Sequence, residues 1–372
     1  MTSNKIVSVG MVGTSWWADS MHLPALASHP NAEVVAICGR NRENAQKMAD
    51  QWNIPNVFTD YNDMIDSGLL DAVVISTPND SHYPISVKAL ENGLHVLCEK
   101  PLALNYADAQ HMADLATAKG VKHLVPFTYS FMPTARYLKE LIDDGYLGKP
   151  YHLNMRYYAG YARDGDYMWR FDLAKAGSGV VGDLGTHFLY LARWFFGEIV
   201  SVSCQLGYNI PRPDQTPEGE PYELGDDMAI ITLKFANGAS GVVHVTAVCY
   251  EDTPFGQTHH MEFHGSEGTL YSFTDWDTVQ QVTGARVGEG MVNELSIPDH
   301  IWGNARRDKV PETYKDMFRV EDHMVRGFID GIVNNKSLSP DFHDGARIQR
   351  ILSAAIQSHQ TGCRVEVDSV TA

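Results

Sequence analysis

Over the first third of the chain, short runs of apolar residues alternate with longer amphipathic stretches. Residues 6–12, 34–38, 71–77, 95–99 and 121–125 are such runs. Runs this short and this uniformly apolar read as strands buried on both faces. Helical spacing fills the gaps: towards Ser28, from His82 to about Asn92-Gly93, and from Asn105 to Lys119, with Asn41 placed to cap the helix that follows it. Strands alternating with helices at this spacing predict a doubly wound parallel sheet covered on both sides.

The pattern changes after residue 126. A helix is expected near 133–145, then strands at 151–158, 200–208, 228–235, 240–248, 260–264 and 269–273. Short turns such as Ala236-Asn237-Gly238 and Gly265-Ser266-Glu267-Gly268 join several of them, so this sheet is predicted to be mainly antiparallel and meander-like. Residues 179–187 are a glycine-bearing segment followed by an apolar helix at 188–196. Helical periodicity returns at 319–334 and 344–360, with Gly362 as a stop. The expected organisation is an α/β chain of two domains, 1–126 and 127–372, its last helices free to pack back on the first.

Composition narrows the function classes. The 372 residues are 44% hydrophobic and 20% charged, which is ordinary for a globular protein, and long enough for two cores. The net charge of −17 argues against nucleic acid or an anionic membrane as a partner, since both reward a basic face. There is no apolar stretch of membrane-spanning length and no secretory leader pattern. Four of the five cysteines (Cys38, Cys98, Cys204, Cys249) stand in apolar surroundings, with Cys363 near the end, which fits free thiols in a reducing compartment. A cytoplasmic location is expected.

Chemistry enters at the strand ends. The first run leads into Gly13-Thr14-Ser15-Trp16-Trp17-Ala18 and a helix, the strand–turn–helix setting of a dinucleotide fingerprint. Gly13 makes the turn and Ala18 is small enough for close packing; Ser15 stands where a glycine normally admits the phosphates. The second strand ends at Gly39-Arg40-Asn41-Arg42, without the carboxylate that holds a ribose 2′-hydroxyl. Guanidinium groups there suit a 2′-phosphate, so NADP(H) is preferred over NAD(H). Thr77-Pro78-Asn79 and His82 follow the third strand, and Glu99-Lys100-Pro101 the fourth, on the same carboxyl edge of the sheet as Gly13. Pro101 keeps Lys100 out of the α region, which makes Lys100 a held charge and a candidate catalytic cation. A cis Lys100–Pro101 bond is one way to hold it.

In the second domain, Asp183-Leu184-Gly185-Thr186-His187 puts a carboxylate and an imidazole four apart, on one face of the expected helix. Such a pair suits proton transfer, or else a structural cap. Glycines at 179, 182 and 185 weaken that helix and imply close approach of a backbone or ligand. Trp169-Arg170-Phe171 sets a flat apolar surface beside a five-donor cation, suited to a polyhydroxylated ring or to a core contact with an ion pair. His260, Glu262 and His264 share a strand face, but without a fourth ligand no metal is expected. Residues 211–224, rich in Pro and Glu, read as an exposed loop.

With these motifs in this order, the chain resembles the glucose–fructose oxidoreductase/inositol dehydrogenase (Gfo/Idh/MocA) family over nearly its whole length. The resemblance implies an N-terminal Rossmann domain and a C-terminal α/β domain with a large open-faced sheet, used for dimer or tetramer contacts. It implies Lys100, Asp183 and His187 as the catalytic group, a sugar, cyclitol or sugar derivative as substrate, and Tyr129, Trp169 and Arg170 among the residues that bind it. The cofactor set is then Gly13, Thr14, Ser15, Trp16, Trp17, Gly39, Arg40, Arg42, Thr77, Pro78, Asn79, His82, Glu99 and Lys100. Two departures stand out: Ser15 for the second glycine, and Ser130 where many relatives carry an arginine. Three rival readings remain: a glycoside-cleaving enzyme that oxidises its substrate transiently, a redox-silent sensor of NAD(P) or sugar, and a reductase of a non-sugar carbonyl, which the Trp169 and Phe171 surface would tolerate.

Overall fold

The computed structural model describes residues 5–251, 253, 255–277 and 281–372. Residues 1–4, expected to lead into the first strand, lie outside them. The chain forms two compact units. One takes the chain up to Pro126 together with Lys315–Arg347; the other takes Phe127–Tyr314 and Ile348–Thr371.

The first unit is built on strands β1 (Val7–Val12), β2 (Ala32–Cys38), β3 (Asn56–Phe58), β4 (Ala72–Ile75), β5 (His95–Cys98) and β6 (His123–Leu124). They lie in the order β3-β2-β1-β4-β5-β6 and every pairing is parallel. The order reverses between β1 and β4, and in an open parallel sheet such a switch point opens a ligand crevice at the carboxyl ends. Core residues such as Val9, Met11, Val74 and Leu97 are fully buried. The late helix Met324–Val333 adds Val325, Phe328, Ile329 and Ile332 to the same core. Its apolar positions recur at helical spacing, so one stripe can meet the sheet. Among the described residues no helix is long and apolar enough to cross a membrane.

The second unit carries a nine-stranded sheet: β7 (Pro150–Ala159), β8 (Ile199–Gly207), β9 (Met228–Phe235), β10 (Ser240–Thr246), β11 (Gln257–Gly265), β12 (Gly268–Thr274), β13 (Gln281–Arg286), β14 (Asn293–Leu295) and β15 (Val365–Glu366). The order is β14-β13-β12-β11-β7-β10-β9-β8-β15. The expected meander is corrected at its centre, where β7 pairs parallel with β10 while the other pairings are antiparallel. The chain returns to β10 through residues 160–239, first over helices and then along β8 and β9, and a parallel pair needs such a crossover rather than a tight turn. Burial alternates along β9 and β10, so one face is packed and the other is open. The helix Gly185–Phe196 covers the packed face, with Phe195 against Phe263 at 4.8 Å between ring centroids and Phe196 against Phe235 at 5.6 Å.

The helix expected to carry both Asp183 and His187 is broken between them. Two helices form, Val180–Asp183 and Gly185–Phe196, with Leu184 between them. The Thr186 hydroxyl donates to the Gly182 carbonyl at 2.6 Å, occupying an acceptor at the break. The predicted close approach holds at Gly179, where a Cβ would lie 1.9 Å from the Asp226 carbonyl oxygen. The His260, Glu262 and His264 row is engaged within the sheet: His260 on Arg156 at 3.0 Å, Glu262 with Arg156 at 3.8 Å, and His264 stacked on His152.

Candidate active site

In the first unit the chain leaves β1 through Gly13, whose φ is +114°. A Cβ there would fall 2.1 Å from the Ser76 carbonyl oxygen, so the turn admits glycine alone. Ser15 Oγ accepts from the Ala18 amide at 3.1 Å and lies 3.0 Å from Ser76 Oγ. The serine that departs from the glycine pattern therefore closes the turn itself. Gly13, Thr14, Ser15, Gly39, Arg40, Thr77 and Pro78 line one cavity of about 500 Å³. Arg40 and Arg42 are exposed, and among the described residues neither has a hydrogen-bond or ion-pair partner. Trp16 is 70% exposed, while Asn79 is buried. These features fit a dinucleotide: a side-chain-free turn for close approach, and the Arg40 cation in the cavity lining.

Three residues of the expected cofactor set, Trp17, His82 and Glu99, make hydrogen bonds within the first unit. His82 is fully buried, with Nδ1 2.8 Å from the Pro101 carbonyl oxygen and Nε2 3.0 Å from that of Thr77. Burial pushes its pKa down, against both carbonyls and the charges of Glu99 and Asp80. Glu99, 9% exposed, receives the Trp17 indole N–H on Oε1 at 2.8 Å, and His22 Nε2 stands 2.9 Å from the same oxygen. Its Oε2 accepts the Lys100 amide at 3.3 Å. Burial alone would raise the Glu99 carboxyl, yet the hydrogen bond and charge of His22, the Lys100 charge and the indole hold it below the usual range. His22 ends a single π-turn, Ala18–His22, a local irregularity that recurs at functional sites. Lys100 is half-buried, and the bond that joins it to Pro101 is cis.

In the second unit, Asp183 ends the short helix Val180–Asp183. Its Oδ2 accepts the Tyr161 hydroxyl at 2.7 Å and pairs with Arg170 Nε at 3.4 Å. The Arg170 guanidinium in turn lies 4.7 Å from the centre of the Trp169 ring. Desolvation and the Asp183 charge push the Tyr161 phenol well up, so it stays a donor. His187 is buried near the start of the helix Gly185–Phe196, its ring 4.7 Å from that of Tyr129. Tyr129 spends its hydroxyl on Tyr157 at 2.9 Å, and Tyr157 donates onward to Gln257 at 2.9 Å. Asp183 thus joins Trp169 and Arg170, and its charge also reaches Tyr129, against whose ring His187 lies. Tyr161 is the partner that sequence reading missed, because nothing about a tyrosine two residues past β7 marks it for an aspartate on another element.

A second missed residue is Asp226. Its Oδ1 and Oδ2 accept the amides of Gly179 at 3.0 Å and Val181 at 2.8 Å, and its carbonyl accepts that of Val180 at 2.8 Å. It thereby clasps the helix that ends at Asp183. Burial raises the Asp226 carboxyl to about 7, against the two amides. The folded state then holds a proton that the unfolded chain releases at lower pH, so this group's contribution is full below about pH 4 and is lost as pH rises to about 7. Asp226→Asn is expected to lack that component. Its Tm should fall less than wild type between pH 4 and 7 by an amount worth a few kcal/mol, read by thermal melts across the range. Parallel melting curves would contradict the raised carboxyl.

Comparison with known proteins places this geometry. Residues 7–127 match the model of the oxidoreductase family with an NAD-binding Rossmann fold, Gfo/Idh/MocA, and residues 135–271 match its C-terminal domain. The chain belongs to the Gfo/Idh/MocA family and is an NAD(P)-dependent oxidoreductase. It is 29% identical to levoglucosan dehydrogenase of Pseudarthrobacter phenanthrenivorans, over 94% of this chain and 92% of that protein. It is 26% identical to D-glucoside 3-dehydrogenase of Escherichia coli, over 99% of each. Among solved structures, levoglucosan dehydrogenase in complex with NADH and levoglucosan superposes with a TM-score of 0.85 at 25% identity, covering 98% of this chain and 100% of that one.

Proposed function

We propose that this chain oxidises a ring hydroxyl of a sugar, cyclitol or sugar derivative, and reduces the matching ketone in reverse, with NADP(H) preferred over NAD(H). The observation that carries the substrate class is the Asp183 group. A carboxylate held by Tyr161 and Arg170, with the guanidinium over Trp169, offers acceptor, donors and a flat apolar surface together. A polyhydroxylated ring needs all three. Likeness to levoglucosan and glucoside dehydrogenases over almost the full chain supports the same class.

When bound, the nicotinamide supplies the hydride acceptor. His187 takes the hydroxyl proton, Lys100 donates a hydrogen bond to the developing alkoxide, and Asp183 positions the ring hydroxyls and supports the imidazolium. The preference for the 2′-phosphate rests on Arg40 and Arg42, whose charges are unclaimed among the described residues.

A spectrophotometric screen of levoglucosan, D-glucose, methyl D-glucoside and myo-inositol with NAD⁺ and NADP⁺ tests the reading. At least one sugar should generate reduced cofactor, with the higher kcat/KM for NADP⁺. Arg40→Ala should lower the NADP⁺ value about tenfold, the worth of one charge-assisted hydrogen bond, and spare the NAD⁺ value. Higher kcat/KM with NAD⁺ would reverse the cofactor assignment. Consumption of a glycoside without net cofactor reduction would point to transient oxidation instead.

A further inference from the structure

Lys100 stands between two residues that are held by hydrogen bonds from other elements of the first unit. On its N-terminal side, Glu99 is held by Trp17 and His22, which follow the Gly13 turn. On its C-terminal side, the Pro101 carbonyl meets His82 Nδ1, while Nε2 of the same ring meets the carbonyl of Thr77, a residue of the cavity lining. Both histidines are fully buried, and neither lines the cavity.

His22 leaves Nδ1 buried without a hydrogen-bond partner, so the ring directs one bond only, from Nε2 to Glu99. A buried histidine carrying an orphaned nitrogen forgoes stabilisation that an apolar side chain of similar size would supply. His82 lies between two carbonyls, at 2.8 and 3.0 Å, in the segments that follow β4 and β5 past the Glu99 amide's bond to the Ile75 carbonyl, and a neutral ring donates to one of them, the nearer being that of Pro101. Two buried rings aimed at the residues either side of one lysine are not needed to close the core.

We propose that His22 and His82 are positioning residues for Lys100: His22 holds Glu99, and His82 holds the Pro101 carbonyl. Together they fix the backbone from which the ammonium projects. This rests on the catalytic role of Lys100 proposed above. Displacing a catalytic group by about 1 Å lowers turnover by about a hundredfold, while cofactor affinity depends on other contacts.

The test exploits which ring nitrogen each amide side chain mimics. A glutamine amide nitrogen overlays Nε2 of histidine, and an asparagine nitrogen overlays Nδ1. His22→Leu is expected to lower kcat about 10- to 100-fold with KM and NADPH affinity within about threefold, and His22→Gln to recover most of the loss. At position 82 the order inverts: His82→Asn, which keeps a donor to the Pro101 carbonyl, should outperform His82→Gln, whose donor faces Thr77 instead. Turnover is measured on the fastest sugar of the panel, NADPH binding by fluorescence, and folding by Tm. Equal kcat for His82→Asn and His82→Gln at matched Tm would overturn the bracket, as would wild-type kcat in His22→Leu. Lys100→Ala in parallel separates the two claims. If it stays active, the lysine's role fails; if it is inactive while the histidine variants are not, the bracket alone fails.

Discussion

Lys100→Ala is expected to lower kcat by about a thousandfold or more while NADPH binds within about threefold of wild type. The argument is one of differential stabilisation. An ammonium aimed at a hydroxyl is worth little to the neutral alcohol and a great deal to the oxygen as it becomes an alkoxide. Removing it therefore strikes turnover rather than ground-state binding. The cofactor cavity is lined by Gly13, Thr14, Ser15, Gly39, Arg40, Thr77 and Pro78, so its principal contacts survive the substitution. Steady-state turnover with the panel sugar and quenching of tryptophan fluorescence by NADPH give the two readouts. Full turnover in the variant would remove Lys100 from the chemistry, and a matching loss of NADPH affinity would reassign it to cofactor binding.

Gly13→Ala is expected to abolish measurable NADPH binding and to destabilise the fold by about 2–5 kcal/mol, from a strained φ together with forced overpacking. The backbone there has φ +114°, outside the range of L side chains, and the added carbon would fall 2.1 Å from the Ser76 carbonyl oxygen. Neither atom can yield cheaply. Ser76 follows β4, and its amide is bound to the Val12 carbonyl at 2.8 Å, so β1 and β4 would have to part at the switch point. The Ser15–Ser76 contact at 3.0 Å would go with it. Thermal melts and NADPH titration measure both losses. Wild-type affinity in this variant would mean that the Gly13 turn does not form the dinucleotide cradle.

Much of the first unit was legible because a buried parallel strand and its following turn are local signals. Apolar runs at β1, β2, β4 and β5, the Gly13 turn and the strand-terminal Glu99-Lys100-Pro101 all lie within a few residues of the features that explain them. The second unit was legible as strands but less so as a sheet. The parallel β7–β10 pair joins segments some ninety residues apart, and pairing partners at that separation leave no mark in periodicity. The break at Leu184 was hidden for a similar reason. It follows from where the Gly179 backbone meets Asp226 and where Thr186 finds the Gly182 carbonyl.

The sequence by itself determined the two-domain α/β class, the family, and the residue types able to bind a dinucleotide and move a proton. Those properties reside in local pattern and side-chain chemistry. Only the tertiary structure decided how those residues are held. It gave Asp183 to Tyr161 and Arg170, and Glu99 to Trp17 and His22. It turned His82 away from the cavity onto two carbonyls, and left Arg40 and Arg42 with unclaimed charge. Hydrogen-bond partners are chosen by burial, which makes an unsatisfied polar atom costly, and by chain crossings that bring distant positions within about 3 Å. Neither can be read from the order of residues alone.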